Sequence, residues 1–342
     1  MIKLIKYFIV KFIFCFIIHS VASQDVHFSQ YLNSHLTLNP ALTGFFQGNI
    51  RSTMNYRSQW ASVSNPFISS SFSFDSKILQ EKMKDNGLGL GVVILSDKSG
   101  SAKLTNFMAL LSTSYIKALN QSGNQYLSFG IQGGFFQKKM DFNNLIFGNQ
   151  FDGLDFNSSL SSGENASGSS FTNSDINIGF LFNRSEPFHT RYNAGLAFFH
   201  LNQPEETFLG SENNRSLRTV IHSNILFIIS EELQAGPDLF FAYQKKANEI
   251  NFGGSTLYKL EPVNDKDTYL NFTIGLRWMD AIHLTTGVKY DKWNVSFSYD
   301  ITISDISLAN NYQGGFEISV IYTDLFIPGK NKLPFIVPCN NF

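Results

Sequence analysis

The chain has 342 residues, 26 basic and 27 acidic, with 15% charged and 15% aromatic residues and 35 phenylalanines. A net charge of −1 offers no basic surface for nucleic acid, and a charged fraction well below the roughly 25% of soluble domains argues against a water-soluble α/β enzyme. Only two cysteines are present, Cys15 and Cys339, so no disulfide-stapled module is available.

Residues 1–23 read as a secretory signal peptide. Lys3, Lys6 and Lys11 precede or enter an apolar run, and Val21-Ala22-Ser23 supplies small residues before a cleavage point at Gln24. The run is shorter than a membrane-anchoring span requires. Cys15 lies behind bulky Phe12, Ile13 and Phe14, which is unlike a lipid-modification site. Removal of this leader takes three lysines and no acid, leaving 23 basic against 27 acidic residues and Cys339 as the one thiol.

Residues 24–47 lack strand alternation. Phe28, Tyr31, Leu36 and Leu38 offer apolar anchors, while Asn39, Pro40 and Gly44 impose bends. The stretch is expected to be a plug or latch at a periplasmic mouth formed by the rest of the chain, and these seven residues are also the candidate partner-binding set.

From residue 48 onward the chain is strand upon strand. Alternation and turn signals predict strands near 48–61, 66–77, 87–97, 102–118, 125–138, 174–184, 189–201, 219–231, 237–246, 248–259, 268–279, 281–290, 293–303 and 313–324. The pattern is plainest in 268–301, where Leu270, Phe272, Ile274, Leu276 and Trp278 alternate with Asn271, Thr273, Gly275 and Arg277, and the next two runs repeat it across turns of about two residues. Each run is long enough to cross a bilayer as a tilted strand. An exported, aromatic-rich, charge-poor chain of this kind predicts an all-β fold, a transmembrane outer-membrane β-barrel of about fourteen antiparallel strands. Its apolar face meets lipid and its polar face the lumen. An even count puts both ends of the chain on the periplasmic side. The long Ser/Gly/Asn-rich connection 152–173 and the connection 202–216 then emerge outside, where long loops belong. Their low aromatic content predicts no strong binding hot spot at the tips. The expected division is signal peptide 1–23, plug or latch 24–47, barrel 48–324 and C-terminal periplasmic tail 325–342.

On the lumen face, Arg51, Arg57, Arg277, Lys289 and Asp300 are candidates for a charged network, either pairing to fill the lumen or forming a selectivity patch for anionic solutes. Gly87, Gly89 and Gly91 leave room in the lumen. They open no strand-to-helix turn, so the phosphate-loop reading does not apply. His27, His35, His189, His200, His222 and His283 show no metal-ligand spacing, and no nucleophile-elbow motif occurs. No cofactor, no metal and no enzymatic activity are expected; a Ser–His lipid hydrolase is the one enzymatic alternative.

Several blocks of the sequence resemble the PorP/SprF family of outer-membrane proteins, linked to type IX secretion and gliding motility. They are Phe28-Ser29-Gln30-Tyr31, Leu38-Asn39-Pro40-Ala41 with Thr43-Gly44, Tyr56-Arg57-Ser58-Gln59-Trp60, Pro66-Phe67 and Ser73-Phe74-Asp75. The run Gly87-Leu88-Gly89-Leu90-Gly91 and the later Ser298-Tyr299-Asp300 match as well. Phe147-Gly148-Asn149-Gln150 carries Asn where the family tends to show Asp, and Asn340 after Cys339 departs from the usual Pro. The resemblance covers nearly the whole chain after the leader. It implies a non-enzymatic barrel that helps secrete or anchors a cell-surface adhesin. The implied partners are the C-terminal domain of a type IX cargo, components of the secretion machinery and outer-membrane lipid. A passive outer-membrane channel for hydrophobic or small polar solutes is the alternative.

Overall fold

Strict alternation gives each strand one face suited to lipid and one suited to a polar interior, and closing the sheet on itself lets every strand satisfy its backbone hydrogen bonds inside a bilayer. The computed structural model shows this closure. It describes residues 25–324 except 63–64, 79–85, 101–102, 142–144, 146, 158, 162, 164–169, 187–188 and 209–212. The expected signal peptide 1–23, the expected C-terminal tail 325–342 and Cys339 lie outside the described residues. So do parts of the predicted loops.

The strands are β1 (Ile50–Gln59), β2 (Phe67–Ile78), β3 (Gly87–Ser99), β4 (Leu104–Ala118), β5 (Gln125–Lys139), β6 (Ser170–Glu186), β7 (Thr190–Phe199), β8 (Arg218–Ile228), β9 (Leu233–Gln244), β10 (Ala247–Val263), β11 (Lys266–Arg277), β12 (Ala281–Tyr290), β13 (Trp293–Thr302) and β14 (Gln313–Asp324). Each pairs with its sequence neighbour, and β1 pairs antiparallel with β14 to close a fourteen-stranded barrel. The closing register runs from Ile50 opposite Asp324 to Gln59 opposite Gly315. The end where β1 begins and β14 finishes is the base of the barrel, and the opposite end is its mouth.

Strand β9 begins earlier than the sequence pattern predicts, because Pro237 is expected to start it and instead lies inside it. The β8–β9 ladder pairs Asn224 with Asp238 and Phe227 with Ala235 but skips the positions between them. Pro237 has no amide hydrogen to give there.

The outer face is apolar: Phe72, Leu90, Leu111, Phe180, Phe272 and Ile274 are among the exposed side chains. The inner positions of the same strands are polar and buried, as in Ser69, Ser71, Ser73 and Asp75 of β2. Phe272, at mid-strand in β11 and 48% exposed, therefore faces hydrocarbon. Phe272→Lys is expected to cost about 2–4 kcal/mol in a bilayer, the range for a lysine near the midplane of a barrel's lipid face. Urea unfolding in lipid vesicles, compared with Phe272→Leu, measures it.

Part of the inner face departs from the expected polar lumen. Ile116, Tyr126, Leu181, Ala197, Val220, Phe240 and Ala242, spread over β4 to β9, point inward and are buried. They form one cluster with Tyr31, Leu38, Ala41, Leu42 and Phe45 of the N-terminal segment. An apolar wall inside a barrel needs something apolar to cover it, and the segment does so. Burying each large side chain contributes about 1.5–3 kcal/mol.

Candidate functional site in the occupied lumen

Residues 25–49 run through the lumen from mouth to base. Three single turns, Tyr31–Asn33, His35–Leu38 and Pro40–Leu42, compact the path. The third is set by local chemistry. Pro40 occupies the first helical position, and the Asn39 carboxamide oxygen caps it by accepting from the Ala41 amide at 2.9 Å. Gly44 then reverses the chain at φ +67°, a conformation that costs a side-chain-bearing residue.

The turn 39–44 sits in a groove cut by missing side chains. A Cβ on Gly89 would stand 2.2 Å from the Thr43 carbonyl oxygen, and one on Gly130 2.3 Å from the Pro40 backbone. Around the groove, Ser128 donates to the Ala41 carbonyl at 2.7 Å, the Thr43 and Ser112 hydroxyls lie 2.6 Å apart, and Asn39 donates to the Phe180 carbonyl at 3.0 Å. Higher in the lumen, Gln132 donates to the Leu36 carbonyl at 3.2 Å.

Two separate charge clusters hold the segment within the wall. Near the base, Arg51 of β1 pairs with Asp75 of β2 at 2.7 Å and donates to the Leu42 carbonyl, while Asp75 accepts the Gly44 amide at 2.7 Å. Further up, Arg57 and Arg277 both reach Asp300, at 3.1 and 2.8 Å, and Arg57 lies 3.3 Å from Glu317. Glu317 accepts the amides of Ser29 and Gln30 at 2.6 and 2.9 Å. The Ser29 hydroxyl donates to Asp300 at 2.7 Å and accepts from Arg277 at 2.8 Å. Arg57 also donates to the His27 carbonyl at 2.7 Å.

The five lumen residues singled out in the sequence thus do not form one network. Arg57, Arg277 and Asp300 come together, and Arg51 has its own partner. Lys289 stands apart near the base end of β12, its ammonium 5.7 Å from the Tyr269 ring. Of the seven segment residues, all are buried within the lumen. Asp75, Glu317, Ser29 and the inward apolar wall were missed as parts of the site. A signal for the wall was available: runs such as Leu239-Phe240-Phe241-Ala242 are apolar on both faces, which a water-filled lumen would not need.

At the mouth the first described residue is clasped. Asp25 lies 2.6 Å from His200 Nε2 and pairs with Arg215, and its amide donates to Gln244 at the end of β9. His200 Nδ1 lies 2.9 Å from both oxygens of Asp175. The segment expected as a plug or latch at the periplasmic end fills the lumen as far as the opposite end. Ile50 and Asp324 share the base, but the segment does not stop at that end, and Asp25 is at the opposite end from Asp324. The cause is the inner wall, whose apolar and charged patches extend to the mouth and draw the segment along its length.

Burial alone would raise the Asp25 carboxyl, but Arg215 and His200 outweigh it and hold it well below its ordinary 3.8. Burial likewise pulls His200 down, and Asp25 and Asp175 overcome it, so the imidazole is raised from 6.5. The Asp25 contribution is therefore present above 3.8 and lost as pH falls through its lower folded value. The His200 contribution is complete below 6.5 and lost as pH rises through its higher folded value. The clasp is strongest between 3.8 and 6.5 and loosens on the alkaline side. A spin label on Val26→Cys, in a Cys339→Ser chain, is expected to gain mobility as pH rises above neutrality. A label that stays immobile at high pH contradicts the assignment.

Comparison with known proteins agrees with this architecture. The family model described as type IX secretion system membrane protein PorP/SprF matches residues 20–322. No curated protein matches the chain. Among solved structures, the Ralstonia pickettii toluene transporter TbuX is similar at 10% identity, with 86% of this chain and 94% of that chain covered and a TM-score of 0.50. The monoaromatic hydrocarbon channel CymD is similar at 13% identity, with 86% and 93% covered and a TM-score of 0.50. At such identities the likeness shows the fold alone. The blocks Phe28–Tyr31, Leu38–Gly44, Tyr56–Trp60, Ser73–Asp75 and Gly87–Gly91 are largely the lumen segment and the wall that seats it. A closed barrel with this segment inside, matched over 20–322, belongs to the PorP/SprF family of type IX secretion membrane proteins of the outer membrane.

Proposed function

We propose that this barrel is an accessory of type IX secretion that works by protein–protein contact, helping to export or anchoring a cell-surface protein. The carrying observation is the lumen itself, occupied from mouth to base by the chain's own N-terminal segment and held there by hydrogen bonds to buried, ion-paired side chains of the wall. A barrel so filled acts through its ends rather than by passing solute. The mouth then faces outward and the base the periplasm. The connection after β5 brings apolar surface to the mouth: Phe151 and Phe156 pair as a small hairpin, and Leu154 at its tip is 91% exposed. Asp152 stiffens that tip by accepting the amides of Leu154 and Asp155, each at 2.9 Å. Composition predicts no strong contact point in this loop; the exposed Leu154 tip is the contact proposed for it.

The test is an affinity pull-down of the tagged barrel from gently solubilised outer membranes, with co-purifying proteins identified by mass spectrometry. A large surface protein retained through its C-terminal domain supports the reading, and loss of that protein with Leu154→Asp would place the contact. A barrel that comes down alone from cells expressing the secretion machinery sinks it.

The channel reading has one observation in its favour, the likeness of the fold to a toluene transporter and a monoaromatic hydrocarbon channel. Planar-bilayer conductance and solute uptake by vesicles discriminate it, since a filled lumen is silent.

A further inference from the structure

The lumen segment is held as a ligand is held. Among the described residues, no backbone–backbone hydrogen bond joins residues 25–46 to a strand, and the closed strand order is complete without them. The polar contacts between segment and barrel pass through side chains of the wall or of the segment, and the groove under the turn is shape left by glycines.

The charges are arranged so that the segment can leave. Residues 25–47 contain one acid, Asp25, and no lysine or arginine. The buried ions of the wall compensate each other, Arg51 with Asp75 and the pair Arg57 and Arg277 with Asp300 and Glu317. Withdrawal would leave these wall ions with their counterions, where breaking a buried pair is the costly event. At the mouth it would part His27 from Glu249, 3.7 Å away, and Asp25 from Arg215, which keeps Glu206 at 3.9 Å. The wall would keep a ready-made polar and apolar track for another chain.

Asp25, where the described segment begins, is at the mouth. Asp25, Val26 and His27 are half-buried rather than buried. Asp25 and Val26 border a recess, open to solvent and of about 520 Å³ of atom-free space, that Arg215 and Arg218 also line. Arg218 stands 5.9 Å from the Phe199 ring, and no carboxylate pairs with it among the described residues. The mouth therefore holds a second guanidinium suited to an incoming carboxylate beside the one Asp25 uses.

We propose that the lumen is a polypeptide-binding site, occupied in cis by residues 25–47 and able to exchange them for the same peptide offered in trans. The chemical class it takes is an otherwise uncharged segment with one acidic residue at its leading end. Two adjacent backbone amides dock on Glu317, and an Asn-Pro-small turn enters the glycine groove. Such exchange does not depend on the secretion role, and a failed pull-down would leave it standing.

A short tether gives its ligand an effective concentration on the order of millimolar, so free peptide competes poorly with the intact chain. Weakening the clasp should change that. The experiment uses full-length protein with Cys339→Ser and a fluorescent synthetic peptide of residues 25–47. Asp25→Asn is expected to lower the peptide concentration for half-maximal, saturable uptake by about tenfold, the effect of losing roughly 1.4 kcal/mol of clasp. A lock controls for surface binding. Thr43→Cys with Ser112→Cys replaces hydroxyls 2.6 Å apart, close to the ~2.05 Å of a disulfide. Oxidised, the locked Asp25→Asn chain should take up no peptide; reduced, it should take it up again. Uptake that ignores the lock, or none by the unlocked Asp25→Asn chain, overturns the proposal and makes the segment a fixed part of the fold.

Discussion

Gly130→Val is expected to turn a silent barrel into a conducting one. The missing Cβ at Gly130 leaves the space that the Pro40–Ala41 backbone occupies, and a Cβ there would stand 2.3 to 2.4 Å from Pro40 C and O and Ala41 N. Backbone atoms on the strand side are fixed by the β4 and β6 ladders, so the segment must yield. Overpacking ordinarily costs about 1–3 kcal/mol, and more where the neighbour cannot relax. Once the turn is out of its groove, the contacts of Asn39, Ala41 and Thr43 go with it and the lower lumen opens. Gly133→Val is the control. It lies on the same strand, and its nearest contact would be the Asp175 carbonyl oxygen at an ordinary 3.7 Å. Planar-bilayer recordings should show steps for Gly130→Val and none for the wild type or Gly133→Val. Steps of equal size in all three would mean that the segment does not obstruct the lumen.

Arg57→Met is expected to be the most destabilising single change in the wall. Arg57 is 2% exposed and touches the Asp300 carboxylate, the Glu317 carboxylate and the His27 carbonyl. Its removal leaves Arg277 as the one guanidinium against two buried acids. Breaking a buried pair by deleting one partner costs about 3–5 kcal/mol. The loss is measurable as a lower temperature for the heat-induced gel shift of the folded barrel. Arg57→Met combined with Glu317→Leu should recover only part of it. The double change removes the uncompensated acid, but the Ser29 and Gln30 amides lose their acceptor, and a buried amide without a partner costs about 1–3 kcal/mol. Full recovery in the double variant would show that those two amides find other partners.

The barrel was legible because its information is local. Alternation of the kind in Leu270–Trp278 depends on nothing but the two faces of a strand, and a bilayer makes that pattern long and unbroken. The boundaries that differ, at Pro237 and at Ser170, are those where pairing with a neighbour overrides the local signal. The candidate site was legible residue by residue and not as an arrangement. Arg57, Arg277 and Asp300 were visible as charges on a lumen face. Their meeting depends on a barrel closure that pairs β1 with β14, next to β13, and lets Arg277 of β11 reach the same point, and no spacing along the chain encodes it.

By itself, then, the sequence determined the fold class, the strand number and which face of each strand is apolar, since these follow from residue type at period two. Only the tertiary structure decided that residues 25–47 pass through the lumen to the mouth, and that Lys289 stands outside the ion network. It also decided that the glycines of β3 and β5 form a seat. The reason is physical. Those outcomes depend on which atoms remain close once fourteen strands close into a ring, and a missing Cβ acquires meaning only when a backbone arrives to fill the space.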